Sequence, residues 1–438
     1  MTRPASGEES TPPPAALARV VGLWGAVWMG LGSILGTGVF VSLGIATGVV
    51  GSGVVLAVAL AALVATANGL SSAQLAAAHP VSGGTYEYGH RLVNPVAGFT
   101  AGWMFLAAKS ASAATAALGC AGYLLHTLGL PDTVGVRVVV GLGIVFLLTA
   151  LIAGGVRRSN HVNVAIVSLT LVALASFVVF GWLDVADGAS ALAWPAVADA
   201  LDSPATLLQA TALMFVAYTG YGRIATLGEE VRRPDRTIPR AIIVTLALSM
   251  LLYVSVAATA IAVVGPEVFA ASTREAAAPL EVVARSFEQR WVAILVAVGA
   301  VTAMAGVLLN LLLGLSRVLL AMARRREMPS ALDRVSERTS SPTRAVWTIG
   351  ALIGALVLLG DIRTTWSFSA FTVLVYYGLT NLAALRLPPE ARRFPRWVAV
   401  GGLIACFGLA FFVEVTVLLA GVGLIGVGLV WRNRALAR

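Results

Sequence analysis

Residues 31–44 read LGSILGTGVFVSLG, with Gly32, Ser33, Gly36, Thr37, Gly38, Ser42 and Gly44 set among residues suited to burial. Residues 213–222 repeat the pattern as LMFVAYTGYG. A glycine inside a helix costs roughly 1 kcal/mol relative to alanine, so two such stretches in apolar surroundings need a compensating purpose. One is close packing, because Gly32 and Gly36 have the small-xxx-small spacing that lets membrane helices approach. The other is a deliberate break in the helix, which survives in hydrocarbon only against protein or a water-filled cavity.

The rest of the chain supplies the setting. Of its 438 residues 58% are hydrophobic and only 12% charged, about half the charge of a soluble domain, and the mean hydropathy is +0.88. Twelve apolar segments follow one another between residues 20 and 431, most of them near the roughly 20 residues that cross a bilayer. The net charge of +9 does not point to nucleic acid, since the arginines lie in short segments between apolar runs and not on one face. Cys120 and Cys406 imply neither a disulfide framework nor a metal site. The four histidines are too scattered for metal-ligand spacing, so no cofactor or metal is expected.

Alternate connections carry the basic residues: Arg157 and Arg158, Arg232 to Arg240, Arg324 to Arg344, Arg392 to Arg396, and the tail from Arg432. The positive-inside rule puts this set in the cytoplasm. Both termini then face inward, which requires an even number of spans, in a multi-pass protein of the cell inner (plasma) membrane. Residues 1–19 read as a polar, proline-rich cytoplasmic tail with no cleavable signal before the first span. The segment 273–290 has helical apolar spacing and is expected to form a short helix at the outer surface. The basic stretch 322–344 serves as a topology anchor, with contact to membrane lipid as a second reading.

The two glycine-rich stretches fall in the first and sixth segments. These are equivalent positions if ten spans form two five-helix repeats, 20–183 and 206–385, with the pair in 397–431 added. Discontinuous helices at matching positions point to a central transporter site, where freed N–H groups and the positive end of a half-helix meet a carboxylate. Glycine lets a ligand approach the backbone there.

Four ordered motifs extend this reading. MGLGSILGTGVF (29–40), PVSGGTYEYGHRLVNPVAGFTAGW (80–103), FVAYTGYGRIATLGEEVRRPDRTIPRAI (215–242) and GLSRVLLAMARRREMPSALDRV (314–335) with TSSPTRAV (339–346) resemble the amino acid–polyamine–organocation superfamily, in its bacterial amino acid permease branch. The resemblance implies an all-α fold of twelve transmembrane helices, a five-plus-five inverted repeat with broken helices one and six. It also implies secondary transport of amino acids by alternating access, not enzymatic chemistry, at a site between helices one, three, six, eight and ten. Carried onto this chain, the substrate carboxylate meets the backbone near Ser33, Gly36, Thr37 and Gly38. Its ammonium meets carbonyls near Ile34, Phe215 and Ala217 and at Tyr218, whose ring shields the pocket.

The chain departs from the family's proton-handling positions, which carry Gly222 and Thr170 here. Lys109, the only lysine in the sequence, stands in WMFLAAKSASAATAALG (103–119) with no nearby acid. Counted from residue 96 it lies roughly 20 Å into the bilayer, where an ionisable group marks a functional cavity. It is the candidate for proton coupling, its charge holding the broken first helix or Ser33 in one conformation, against the alternatives that it only bonds helix carbonyls or reaches water, or binds the substrate carboxylate. Arg223 reads as a structural or gating cation able to snorkel toward water. Asn310 is either a cross-helix bond or a site residue. No Asp or Glu lies well inside spans one, three, six, eight or ten, which favours neutral amino acids over cationic amino acids or polyamines. Helix eight lacks the adjacent hydroxyl pair that a sodium site wants, so transport is expected to run on protons or exchange. A channel would show a filter of repeated polar groups, and neither that nor a sensor module is visible.

Overall fold

The computed structural model describes residues 21–79, 83–155, 160–188, 201–225, 231–336 and 341–436. The tail 1–19, Arg157 and Arg158, the acidic stretch around 189–200, and Gly228 to Glu230 of the basic loop after the sixth segment lie outside these residues. The described residues are nearly all helical, with an isolated parallel β-bridge between Val21 and Val231.

The first glycine-rich stretch breaks its span in two. Helix α1 (Leu23–Ile34) ends where Leu35 turns extended (ψ 110°), a π-turn follows at Gly38–Ser42, and α2 (Leu43–Val50) completes the segment. Helix α3 (Val54–Ala78) leads into the short α4 (Thr85–Tyr88) and a π-turn at Gly89–Val93. Helix α5 (Pro95–Thr127) starts where Asn94 accepts from the Ala97 amide at 2.7 Å and Pro95 takes the first helical position, the combination that satisfies a helix start. Helices α6 (Val134–Ala153) and α7 (Asn160–Ala186) follow. The second stretch is broken too: α8 (Pro204–Tyr218) passes through a 3₁₀ turn at Thr219–Tyr221 into the single turn α9 (Gly222–Ala225).

Helix α10 (Pro234–Glu275) kinks at Gly265, whose φ of 78° precedes Pro266. The short α11 (Pro279–Ala284) comes next, then α12 (Arg290–Arg324), α13 (Thr343–Val357), α14 (Ile362–Leu385), α15 (Arg396–Ala410) and α16 (Val415–Leu436). Asp361 caps α14 by accepting from the amides of Arg363 and Thr364. The expected short outer helix at 273–290 is present as α11, but it does not lie on a surface. Leu280, Glu281, Val283 and Ala284 are buried, and the Tyr123 hydroxyl of α5 accepts from the Leu280 amide.

Among the described residues eight stretches are long and apolar enough to cross a membrane, while α1, α13 and α15 are shorter apolar helices. Within the bundle α10 packs on α1 and on α3, α3 packs also on α8, and α5 packs against α6, α12, α13 and α14. Helices α5 and α14 are the enclosed ones, with 89% and 78% of their apolar windows buried, against 22% for α16. Leu63, Phe146, Ile294 and Leu419 turn outward, where an apolar side chain is stable only against lipid or another protein.

The two breaks touch. A Cβ at Gly220 would collide with the Ser33 carbonyl, and one at Gly38 would meet Ala217 and the Tyr253 hydroxyl at 2.8–2.9 Å. A Cβ at Gly36 would meet Val307 of α12 at 2.7 Å, and one at Gly32 would collide with Asn163 of α7. Gly220→Ala is therefore expected to cost about 1–3 kcal/mol of stability by overpacking against backbone. A lower thermal midpoint of the detergent-purified protein would show it. Gly143→Ala, with open space around it, should leave the midpoint unchanged or raise it.

Candidate functional site

Breaking a helix leaves carbonyls without their amide partners, and in a buried setting each needs a new donor. Tyr253 of α10 supplies one. Its hydroxyl is shared between the Ile34 carbonyl at 2.9 Å and the Ala217 carbonyl at 3.3 Å, so one donor serves both breaks. Its ring lies 5.1 Å from that of Tyr218, whose hydroxyl donates to the Val58 carbonyl.

Thr219, at the second break, is the other junction. Its hydroxyl donates to the Val216 carbonyl (2.7 Å) and accepts from Lys109 Nζ (2.7 Å), while its carbonyl accepts from the Tyr377 hydroxyl (3.0 Å). Lys109 is only 8% exposed. Its amine therefore reaches the break after α8 rather than Ser33, whose own hydroxyl donates to the Met29 carbonyl.

A cavity of about 40 Å³ lies between these elements, room for water and far short of the several hundred Å³ of a typical ligand pocket. The bundle is thus drawn closed around its centre. Ser33, Ile34, Thr37, Gly38, Ala217 and Lys109 border the cavity. Phe215, Tyr218 and Gly36 do not. Phe215 is buried against the Tyr377 ring, Tyr218 faces Tyr253 and Gly36 faces Val307. Arg223 is exposed on α9, and Asn310 is half-buried on α12 away from the cavity. Thr37 Oγ1 is a buried hydroxyl without a hydrogen-bond partner among the described residues.

The remaining wall carries residues that the sequence did not single out. Val216, Val307, Leu311 and Trp366 make an apolar side, and Ser112 a polar corner. Trp366 is held by donating from Nε1 to the Leu213 carbonyl at 3.0 Å. Ser112 meets Ser369 at 2.7 Å, and Thr115 donates to Thr365 at 2.9 Å, a pair of hydroxyl contacts that fastens α5 to α14. The available signal was weak: a tryptophan in an apolar segment, and serines and threonines at helical spacing on two different segments.

Toward the end of the bundle that carries the basic connections, Tyr377 packs between Phe215 and Tyr221, with Tyr376 at 4.9 Å. These rings adjoin the cavity lining through Thr219, whose carbonyl the Tyr377 hydroxyl holds. Among the described residues, Lys109 is the one ionisable group in the cavity lining, and no carboxylate borders it. The described residues hold no group of His, Cys, Asp and Glu able to bind a metal ion. What the arrangement offers is one positive charge, one free hydroxyl, broken-helix backbone and an apolar wall.

Comparison with known proteins agrees with this architecture. Residues 21–429 match the family described as amino acid permease. A Mycobacterium tuberculosis protein named as an uncharacterized transporter is 42% identical over 417 residues, covering 95% of this chain and 91% of its own length. The branched-chain amino acid permease BcaP of Bacillus subtilis is 28% identical, over 92% of this chain and 87% of its own. The vacuolar cationic amino acid transporter 2 of Arabidopsis thaliana is 25% identical over 72% of this chain and 52% of its own. The chain belongs to the amino acid permease family of the amino acid–polyamine–organocation superfamily, a multi-pass membrane protein of a transport family.

Proposed function

We propose that this protein carries neutral, apolar amino acids across the cell membrane by alternating access, with Lys109 as its proton-handling group. The observation that carries the reading is the single ammonium facing a cavity that the two helix breaks enclose. A zwitterion brings a carboxylate, which gains from Lys109, the free Thr37 hydroxyl and the backbone at the first break. Its own ammonium has carbonyl lone pairs left at Ile34 and Ala217, since a carbonyl accepts two hydrogen bonds. A second cationic group would approach Lys109 with no carboxylate to offset the repulsion. The Val216, Val307, Leu311 and Trp366 wall suits an aliphatic side chain, in keeping with the substrate named for the Bacillus subtilis relative.

The 20–183 and 206–385 halves are the two repeats in this reading, and their breaks meet at the pseudo-symmetric centre. The basic connections face the cytoplasm, as the positive-inside rule requires, and the tyrosine cluster is then the inner closure. Lys109 suits proton handling because its partner is a neutral hydroxyl: the proton can leave without breaking an ion pair. When it leaves, the Lys109 bond to Thr219 loses its charge assistance and the second break is held less firmly.

Counterflow of labelled leucine into proteoliposomes preloaded with unlabelled leucine tests the substrate class. Unlabelled valine, isoleucine and leucine should compete, arginine and putrescine should not, and replacing sodium by choline should change nothing. Competition by the cations alone would overturn the reading.

Lys109→Ala should flatten the pH dependence of uptake measured from pH 5 to pH 9. The concentrative component should fall roughly tenfold, about 1.4 kcal/mol of coupling, while exchange persists. Lys109→Arg, whose guanidinium keeps its proton, should behave in the same way. An unchanged pH profile in both variants would remove the proton role, and loss of binding at every pH would make Lys109 a carboxylate ligand.

A further inference from the structure

The basic end of α12 holds a second, separate set of buried charges. Arg326 takes a left-handed conformation (φ 61°) and turns the chain so that Glu327 points back into the protein, where its side chain is 5% exposed. Three parts of the chain converge on it. Tyr86 of α4 donates its hydroxyl to Oε2 at 2.7 Å, and His90 of the following π-turn places Nε2 3.0 Å from Oε1. From α16, Trp431 donates to the Glu327 carbonyl at 3.1 Å, and Arg432 Nε stands 3.8 Å from Oε1 with no hydrogen bond of its own among the described residues.

The imidazole faces an acceptor on each side. Nδ1 lies 2.9 Å from the Tyr86 carbonyl while Nε2 faces the Glu327 carboxylate. A neutral histidine has one N–H and one lone pair, so it can satisfy one of these contacts and must turn a lone pair toward the other. Both contacts are made only when the His90–Glu327 pair holds an additional proton.

We propose that His90 and Glu327 form a second proton-binding site, apart from Lys109, that latches the α3–α5 connection to the ends of α12 and α16 and restrains opening at this face. The inference rests on the transport reading for its consequence and on the proposed orientation for its side. The other groups around the ring are Glu87 and Arg91 on its own segment and Arg325, which follows α12. Arg325 donates to Glu87 at 2.6 Å and stacks over the Tyr86 ring, and Arg91 is 3.9 Å from the same carboxylate oxygen. Helix α14 contributes Thr380, bonded to Thr85, and α5 contributes Gly98, where a Cβ would overlap the His90 ring. The acids and bases around Glu87 thus pair among themselves and leave the extra proton to His90 and Glu327.

Burial works against the charged ring, but the hydrogen bonds to Glu327 and the Tyr86 carbonyl, with the Glu327 charge, outweigh it. The net effect raises the His90 pKa above its ordinary 6.5. The latch is therefore at full strength below the unlatched value of about 6.5 and is lost as pH rises through the raised one. An alkaline cytoplasm releases it.

Two measurements test this on the full-length protein. The first is hydrogen exchange of amides 85–93 in purified protein, corrected for the intrinsic effect of pH and compared between about pH 6 and about pH 8.5, a range that spans the ordinary histidine value. Protection should drop roughly fivefold in the wild type, at the low end of usual linkage effects. In Glu327→Gln it should not change, because the carboxamide donates to neutral Nε2 and needs no proton. The second is leucine exchange in right-side-out membrane vesicles, with external pH fixed and internal pH varied. The wild-type rate should rise roughly fivefold with internal pH, and His90→Gln and Glu327→Gln should both flatten it. Wild-type protection that does not respond to pH overturns the latch, as does a Glu327→Gln profile that matches the wild type. Absent leucine exchange with a pH-sensitive segment 85–93 overturns the transport reading for leucine and leaves the latch standing.

Discussion

A carbonyl released from a helix inside a membrane has no water to accept from, and leaving it unpaired costs about 1–3 kcal/mol. This protein releases such groups at two places and brings the two places together. The Tyr253 hydroxyl, set between the Ile34 and Ala217 carbonyls, makes one donor serve both interruptions. The rest of the centre follows from that economy. The breaks must lie within reach of one side chain, so Gly220 and Gly38 must be glycine, and α10 must run beside α1 with Tyr253 reaching α8.

The second break is stabilised differently, and the difference is where chemistry enters. Thr219 is tied by Lys109 through its hydroxyl and by Tyr377 through its carbonyl. One of these partners is an ionisable amine on α5 and the other a tyrosine of the aromatic cluster on α14. Helix α5 is itself fastened to α14 by Ser112–Ser369 and Thr115–Thr365. Lys109 is therefore joined through Thr219 both to the turn that borders the cavity and to the Tyr377 ring. Coupling through side chains in direct contact needs no long-range explanation.

The basic face repeats the logic with different groups. There a strained turn at Arg326 aims a carboxylate into the protein, and residues from α4, the following π-turn and α16 gather around it. The central site has an ammonium without a carboxylate, whereas the site at the basic face has a carboxylate and imidazole that need a proton to satisfy their neighbours.

The sequence by itself determined the class of protein and the place of the breaks. Apolar runs separated by basic loops admit few structures other than a helical membrane bundle, because hydrocarbon forbids unpaired backbone. Glycines 36, 38 and 220 disclosed where regular helix stops, and a lone lysine amid alanines disclosed a cavity. All of this is local information, carried by residue type and spacing. What only the tertiary structure decided is which partner each group found. Nothing in the spacing showed that Gly36 and Gly32 would face Val307 and Asn163, that Lys109 would reach Thr219 and not Ser33, or that Tyr253 would join the two breaks. Nor did it show that α11 would be buried. His90 and Glu327 are 237 positions apart, and each alone reads as an ordinary loop residue. Such pairings depend on how helices cross and rotate in three dimensions, and a hydroxyl or imidazole reports its role only when its neighbours stand around it.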